Sequence, residues 1–235
     1  MAGYKRILLK ISGEALGGSA GFGIDPARSR EIVAEIVDVV KSGVQVGLVV
    51  GGGNFFRGVN GGESGIDRTT LDSMGMLATV INALAVADLI RAAGSEALVH
   101  SAVGMEPLAS RYNQRKAVAA LKSGKVVVFA AGTGNPYFST DTAAGLRAIE
   151  TGAEIMLKAT KVDGVYDKDP MRHEDARRYE KISYSEVLNQ GLGVMDLTAV
   201  SLCQENRMPV LVFNLNEPGA LRRAVDKEAV GTFVS

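Results

Sequence analysis

VGLVVGGGNFFRG, residues 46–58, runs from apolar and β-branched residues straight into three glycines. Residues 46–50 read as a buried strand, and Gly51, Gly52 and Gly53 put bare backbone amides at its carboxyl end, where an anion can lie on them. Arg57 adds a guanidinium fork suited to bidentate, charge-assisted bonds. Open α/β sheets bind ligands at the carboxyl ends of their strands, so this one stretch argues for a parallel sheet with a phosphate site on its rim. The same pattern recurs twice. Residues 7–9 lead into KISG at 10–13, and residues 126–131 lead into TGNPYFSTD at 133–141. Neither GxxxxGK[ST] nor GxGxxG occurs in the chain, which disfavours the P-loop and Rossmann folds.

Working outward, strands are expected at 4–11, 45–50, 97–100, 126–130, 154–159 and 209–213. Helices are expected at 26–42, 73–93, 113–122, 140–151, 183–190 and 196–206, with a short helix from Gly219. The helix at 26–42 carries apolar residues at Ile32, Val33, Ile36, Val37 and Val40, at helical spacing. This βαβ alternation implies an α/β fold, a three-layer αβα sandwich with a mainly parallel central sheet. No low-complexity linker or repeat divides the chain, so one domain is expected over 1–235, with 58–65 as a mobile loop.

A chain of 235 residues with 46% hydrophobic content can bury a substantial core. Lys plus Arg and Asp plus Glu are equal at 26 each, so there is no basic field of the kind that accompanies nucleic-acid binding. A single cysteine, Cys203, excludes an intramolecular disulfide, and with His100 and His173 far apart no metal-binding cluster is expected. The apolar run after Lys5 and Arg6 is too short for a signal peptide or a membrane span. A soluble cytoplasmic protein is expected.

Four segments carry the chemistry. Lys10, at a strand end before a small-residue loop, can neutralise a transferring phosphoryl group, which asks mainly for positioning and charge compensation; the bland alternative is a surface lysine beside a plain turn. In the 131–144 segment one of Ser139, Thr140 and Asp141 caps the following helix. Asp141 can also fix lysine ammoniums toward phosphates, while Thr133 and Asn135 read a base or acyl group, and Tyr137 and Phe138 could be core. In LKATKVDGVYDKDP, 157–170, Lys158 or Lys161 can contact the transferring phosphate, Tyr166 can flank a purine and Asp169 can reach a ribose or exocyclic amine. Met74 and Met76 read as helix packing, and Cys203 as a buried small hydrophobe.

These stretches resemble the amino acid kinase family and, within it, the bacterial uridylate kinases. The resemblance rests on YKRILLKISGEAL at 4–16, GGGNFFRG at 51–58, DSMGMLATVINALA at 72–85 and AGTGNPYFSTDTAA at 131–144. KATKVDGVYDKDP at 158–170, YSEVL at 184–188, VMDLTA at 194–199 and VFNLNEPGALRR at 212–223 complete it. It implies phosphorylation of UMP to UDP by ATP, in line and without a covalent intermediate, with magnesium bridging the donor phosphates. It implies that Lys10, Asp141 and Lys158 are catalytic. Lys10, Ile11, Ser12, Gly13, Gly53, Arg57, Thr160, Tyr166 and Asp169 would bind ATP. UMP would lie on Gly52, Asp72, Thr133, Gly134, Asn135, Pro136, Tyr137, Phe138, Ser139 and Thr140. The resemblance further implies a homohexamer activated by GTP and inhibited by UTP, with the GTP effect linked to Gly18, Ser19, Ala20, Gly21, Phe22 and Gly23. Residues 85–90 carry only Asp88 as a charge, where some members place arginines. A sister acyl-phosphate kinase, for carbamate or acetylglutamate, is the runner-up of the same fold, and a nucleotide sensor that has lost transfer is the alternative of another class.

Overall fold

The computed structural model describes residues 3–56 and 65–235; Arg57 and most of the glycine-rich loop expected at 58–65 lie outside the described residues. Six parallel strands form the centre: β1 (Arg6–Ile11), β2 (Gln45–Val50), β3 (Ala97–Ser101), β5 (Val126–Ala130), β6 (Ile155–Thr160) and β8 (Val210–Asn214). Three short strands, β4 (Ser110–Arg111), β7 (Lys181–Ile182) and β9 (Thr232–Val234), extend it to the order β4-β3-β5-β2-β1-β6-β8-β9-β7. β9 runs antiparallel to β8 and carries β7 parallel to itself. The mainly parallel sheet expected from the sequence is therefore present, with a mixed edge that two- and three-residue strands gave no periodicity to reveal.

The helices are α1 (Pro26–Lys41), α2 (Arg68–Ala92), α3 (Gln114–Lys122), α4 (Thr140–Thr151), α5 (Tyr184–Gln190), α6 (Leu197–Glu205) and α7 (Ala220–Val225). Because side chains alternate along a strand, Ile7, Leu9, Ile11, Leu48 and Val50 pack beneath α1, α2 and α7. Leu8, Val49, Val127, Phe129 and Met156 pack on the opposite face beneath α3 to α6. Burial on both faces is why these strands read as continuous apolar runs rather than alternating ones.

The largest shift from expectation is the start of α2, five residues before Ser73. Asp67 caps it, its carboxylate accepting from the Thr69 amide at 2.9 Å. The two threonines after the cap are weak helix formers, which hides the first turn from the pattern. Ser183 and Asp196 are caps rather than helical residues, and Ser183 forms a reciprocal capping box with Glu186. Met76 packs against the core, but Met74 is 36% exposed and does not. Cys203 is fully buried, and burial pushes its thiol up to about 11. By length and composition α2 is the one described helix able to cross a membrane; here Val80, Ala83, Val86, Ala87 and Ile90 are packed into the core.

Candidate active site

Lys10 on β1 and Lys158 on β6 are direct register partners, so their side chains leave the same face of the sheet on neighbouring strands. Two ammoniums so placed repel each other. Asp141, in the first turn of α4, separates them, its Oδ1 2.8 Å from Lys10 Nζ and its Oδ2 2.6 Å from Lys158 Nζ. Lys158 also donates to the Val194 carbonyl. All three groups are largely buried. Burial works to raise the Asp141 pKa, but the two lysine charges outweigh it and hold the carboxyl below its usual range. Burial, joined by the Lys10 charge, pushes the Lys158 ammonium below its ordinary value, against the pull of Asp141. Each ammonium has three donors. With one or two engaged, both keep protons that can be aimed at an anion's oxygens.

The glycine turn lies against the end of β1. A Cβ on Gly13 would come within 2.5 Å of both Asn54 Oδ1 and the Gly51 carbonyl, and one on Gly52 within 2.8 Å of Ala78 Cβ, so the turn approaches the neighbouring backbone as closely as only glycine permits. Two buried asparagines hold it. Asn54 and Asn82 exchange amide hydrogen bonds at 3.0 and 2.7 Å, and Asn82 donates to the Gly51 carbonyl at 2.7 Å. The sequence reading missed Asn82; its signal is a lone amide in the otherwise apolar helical stretch 80–87.

Two cavities flank this centre. One of about 580 Å³ is lined by Lys158, Thr160, Tyr166, Asp169, Val194 and Val212, among others. The other, of about 140 Å³, is lined by Gly52, Gly53, Asp72, Gly132, Phe138 and Thr140, among others. Lys158 opens onto the first, and Thr140, next to Asp141, onto the second. The profile of the amino acid kinase family matches residues 5–214.

The chain belongs to the amino acid kinase family. Its structure is similar to that of a UMP kinase from Bacillus anthracis, at 37% identity and a TM-score of 0.96, covering 99% of this chain and 96% of that one. It is also similar to a UMP kinase from Ureaplasma parvum, at 38% identity and a TM-score of 0.93 over 99% of both chains. A uridylate kinase from Archaeoglobus fulgidus matches at 29% identity and a TM-score of 0.75, over 97% of this chain and 99% of that one.

In this amino acid kinase the remaining site residues divide by location. Asp72 Oδ2 accepts from the Tyr137 amide at 2.7 Å, and Asp72 also pairs with Arg68, whose guanidinium sits 5.4 Å from the Tyr137 ring centroid. Tyr137 is 67% exposed and Phe138 49%, so neither is core; both stand on the segment that closes the smaller cavity. Thr133, Gly134, Asn135 and Pro136 form the preceding turn, with the Thr133 hydroxyl bonded to the Asn135 backbone. Ser139 is the cap of α4. Its hydroxyl donates to Asp196, which also accepts from the Thr142 hydroxyl at 2.9 Å and caps α6. Asp196, another residue the sequence reading passed over, therefore ties the starts of two helices together.

Ile11 is a core side chain and offers a site only its backbone. Ser12 and Thr160 both face a third cavity of about 430 Å³ on the other side of β1. Asp169 accepts from the Met171 amide, and Tyr166 donates to Asp163 at 2.6 Å, a bond that raises the phenol pKa. Lys161 pairs with Glu14 at 3.1 Å instead of joining the lysine pair. Gly18, Ser19 and Ala20 form a 3-10 turn. Beyond it Phe22 is exposed and packs edge-on against Phe55, and the Gly23 amide donates to the Asn54 carbonyl. Gly21 and Gly23 both adopt positive φ.

Proposed function

We propose that this chain is a uridylate kinase that transfers the γ-phosphoryl group of ATP to UMP, giving UDP and ADP. The observation that carries the reading is the Lys10–Asp141–Lys158 cluster set between a large and a small cavity at the carboxyl ends of β1 and β6. The likeness to solved UMP kinases supports it. Adenosine takes the larger cavity, with Thr160, Tyr166 and Asp169 around it. UMP takes the smaller, with Asp72 accepting from its ribose hydroxyls and the 133–140 segment reading the uracil edge. The phosphates are assigned to Lys10, Ser12, Gly13 and Gly53, and to Arg57 on the strength of its sequence position alone.

A phosphate oxygen of UMP attacks the γ-phosphorus while the bond to the β,γ-bridging oxygen breaks, and ADP leaves with that oxygen. The residual donors of Lys10 and Lys158 neutralise charge on the transferring group, where fixed charges act most strongly. Asp141 keeps the two ammoniums together and charged. Among the described residues no group of three or more His, Cys, Asp and Glu can hold a metal ion, so magnesium belongs to this reading as part of the donor, MgATP.

The regulatory and assembly parts of the reading have separate supports. GTP activation acting through residues 18–23 is supported by the two hydrogen bonds that Gly23 makes with Asn54 of the glycine turn, and UTP inhibition by competition for the uracil subsite. A homohexamer is supported by Met74, Leu77 and Ile81, apolar side chains exposed at helical spacing along α2. We take the chain to work in the cytoplasm as one domain over 1–235, without membrane or nucleic-acid partners.

The test is ADP release from MgATP with UMP, CMP, dTMP, carbamate and acetylglutamate as acceptors, each with and without GTP. UMP-selective turnover is the expected result. Turnover on an acyl acceptor moves the chain to a sister kinase, and tight nucleotide binding without turnover favours the sensor.

A further inference from the structure

A cavity of about 340 Å³ shares no lining residue with those of the candidate active site. Its floor is apolar: Leu211 of β8, Ala224 of α7 and Val230 are buried beneath it, and the rings of Tyr4 and Phe233 form its walls. Its lining carries three cations, Arg178, Lys181 and Lys227, against two carboxylates, Glu180 and Glu228. Among the described residues Lys181 forms no ion pair. Lys227 occupies the left-handed position that ends α7, at φ 63°, where glycine is usual. Its Nζ lies 4.4 Å from the Tyr4 ring centroid, so a side chain at this position covers the cavity wall where glycine would leave it bare.

We propose that this cavity binds a small planar anion, an aromatic or heteroaromatic ring bearing one carboxylate, sulfonate or phosphate, and that its occupancy acts on the donor pocket through Arg178. The ring fits between Tyr4 and Phe233 over the apolar floor, and the anionic group meets Lys181 and Lys227. A volume at the low end of ligand cavities suits a guest of one or two fused rings. Glu180 and Glu228, also in the lining, repel the higher charge of a triphosphate.

Arg178 is the link. Its Nη1 donates to the Asp163 carbonyl at 3.0 Å and to Asp163 Oδ2 at 2.8 Å. The other Asp163 oxygen accepts from the Tyr166 hydroxyl at 2.6 Å, and Tyr166 lines the donor cavity. An anion that draws the guanidinium toward itself competes with Asp163, loosens the turn that holds Tyr166 and weakens ATP. This second half rests on the kinase reading of the larger cavity; the first half does not.

The probe is naphthalene-2-sulfonate, a planar ring system bearing one sulfonate, titrated by calorimetry against the full folded chain, with thermal melts confirming that each variant is folded. The expected result is saturable binding that weakens at least about tenfold in the Lys181→Ala/Lys227→Ala variant and is retained in Lys227→Arg. ATP should weaken the probe only to a plateau, and the probe should raise the Kd of ATP by the same factor, because coupling between two sites is reciprocal. Arg178→Gln should abolish that coupling. Absence of probe binding, unchanged affinity in the double lysine variant, or complete displacement by ATP overturns the site. All readouts are of binding, so failure of turnover on UMP leaves this result readable on its own.

Discussion

Lys10, Lys158 and Asp141 make a triad whose charges are individually costly to bury and tolerable only together. Removing the carboxylate leaves two facing ammoniums with only the weaker pull of Asp196 on Lys158 to offset them. Asp141→Asn is expected to destabilise the fold by about 3–5 kcal/mol, read by urea unfolding, because an unmatched buried charge is the expensive case. It should lower kcat by a hundredfold or more, on the order of the loss of a transition-state donor. The Asp141 carboxyl is held below its ordinary range, so its contribution to stability is present above the unfolded value of about 3.9 and is lost as pH falls through the folded value. Lys158 gives a slope of the same sign in an alkaline range. Its folded pKa is depressed, so the folded chain gives up this proton before the unfolded chain does, and stability rises with pH between the folded value and about 10.4. Turnover, which uses the charged ammonium, should fall on an alkaline limb below about pH 10.4. Lys158→Arg should move that limb upward in a pH profile of kcat, and a limb that stays in place assigns it to another group. Lys10 and Asp141 were legible in the sequence because each sits at a strand or helix end in a segment rich in small residues, whereas the residues alone left Lys158 and Lys161 open, and it is Lys158 that reaches Asp141 while Lys161 pairs with Glu14. The mutual contact of the triad was not legible, since it depends on the β1–β6 register, which brings together positions 148 residues apart in the chain.

The elements that hold this triad were legible wherever one physical signal dominated. Continuous apolar runs located β1, β2, β5, β6 and β8, because strands covered on both faces have no polar side to show. The amphipathic spacing of α1 located that helix, whereas Asp25, Asn113, Ser183 and Asp196, which cap four of the helices, were not read as caps in the sequence. Short elements without a period, β4, β7 and β9, were invisible, as was the first turn of α2. The exposure of Tyr137 and Phe138 was equally hidden. Aromatic residues beside a proline read as well for core as for a closing segment, and the difference lies in the positive φ of Tyr137 and its amide bond to Asp72. Asp196 shows what a cap signal leaves unsaid. It caps α6, but its bonds to Ser139 and Thr142 belong to α4, 54 or more residues away. Asp196→Ala is therefore expected to cost more than the about 1–2 kcal/mol of a single cap, measured by chemical unfolding. It should also raise the KM for UMP, since the start of α4 follows directly on the 133–140 segment. A cost confined to one cap with KM unchanged would show that the two helices are positioned independently.

At the scale of the whole molecule, the sheet buries both faces of its central strands, yet α2 keeps one side unpartnered. Val80, Ala83, Val86, Ala87 and Ile90 face the core, while Leu77 is 49% exposed, Ile81 47% and Met74 36%. Positions 74, 77 and 81 follow the three- and four-residue spacing of one helix face, so the exposure is a stripe rather than a scatter. This explains why α2 is apolar nearly all round and why its composition alone resembles a membrane span. An amphipathic helix buried only by its own chain would show a polar back. A stripe of this kind marks an interaction surface, and the long helix lies directly behind the glycine turn, to which Asn82 is bonded. Association through this face would thus bear on the turn that receives phosphate. Leu77→Asp with Ile81→Asp is expected to reduce the solution mass measured by light scattering by a factor of at least two, because charges placed in a closed apolar interface are left without partners. Both positions are exposed in the single chain, so its own fold should hold, which a cooperative thermal transition would verify. If the mass falls while the KM for ATP rises, assembly and the phosphate turn are coupled through α2; if the mass is unchanged, the stripe faces something other than a second copy.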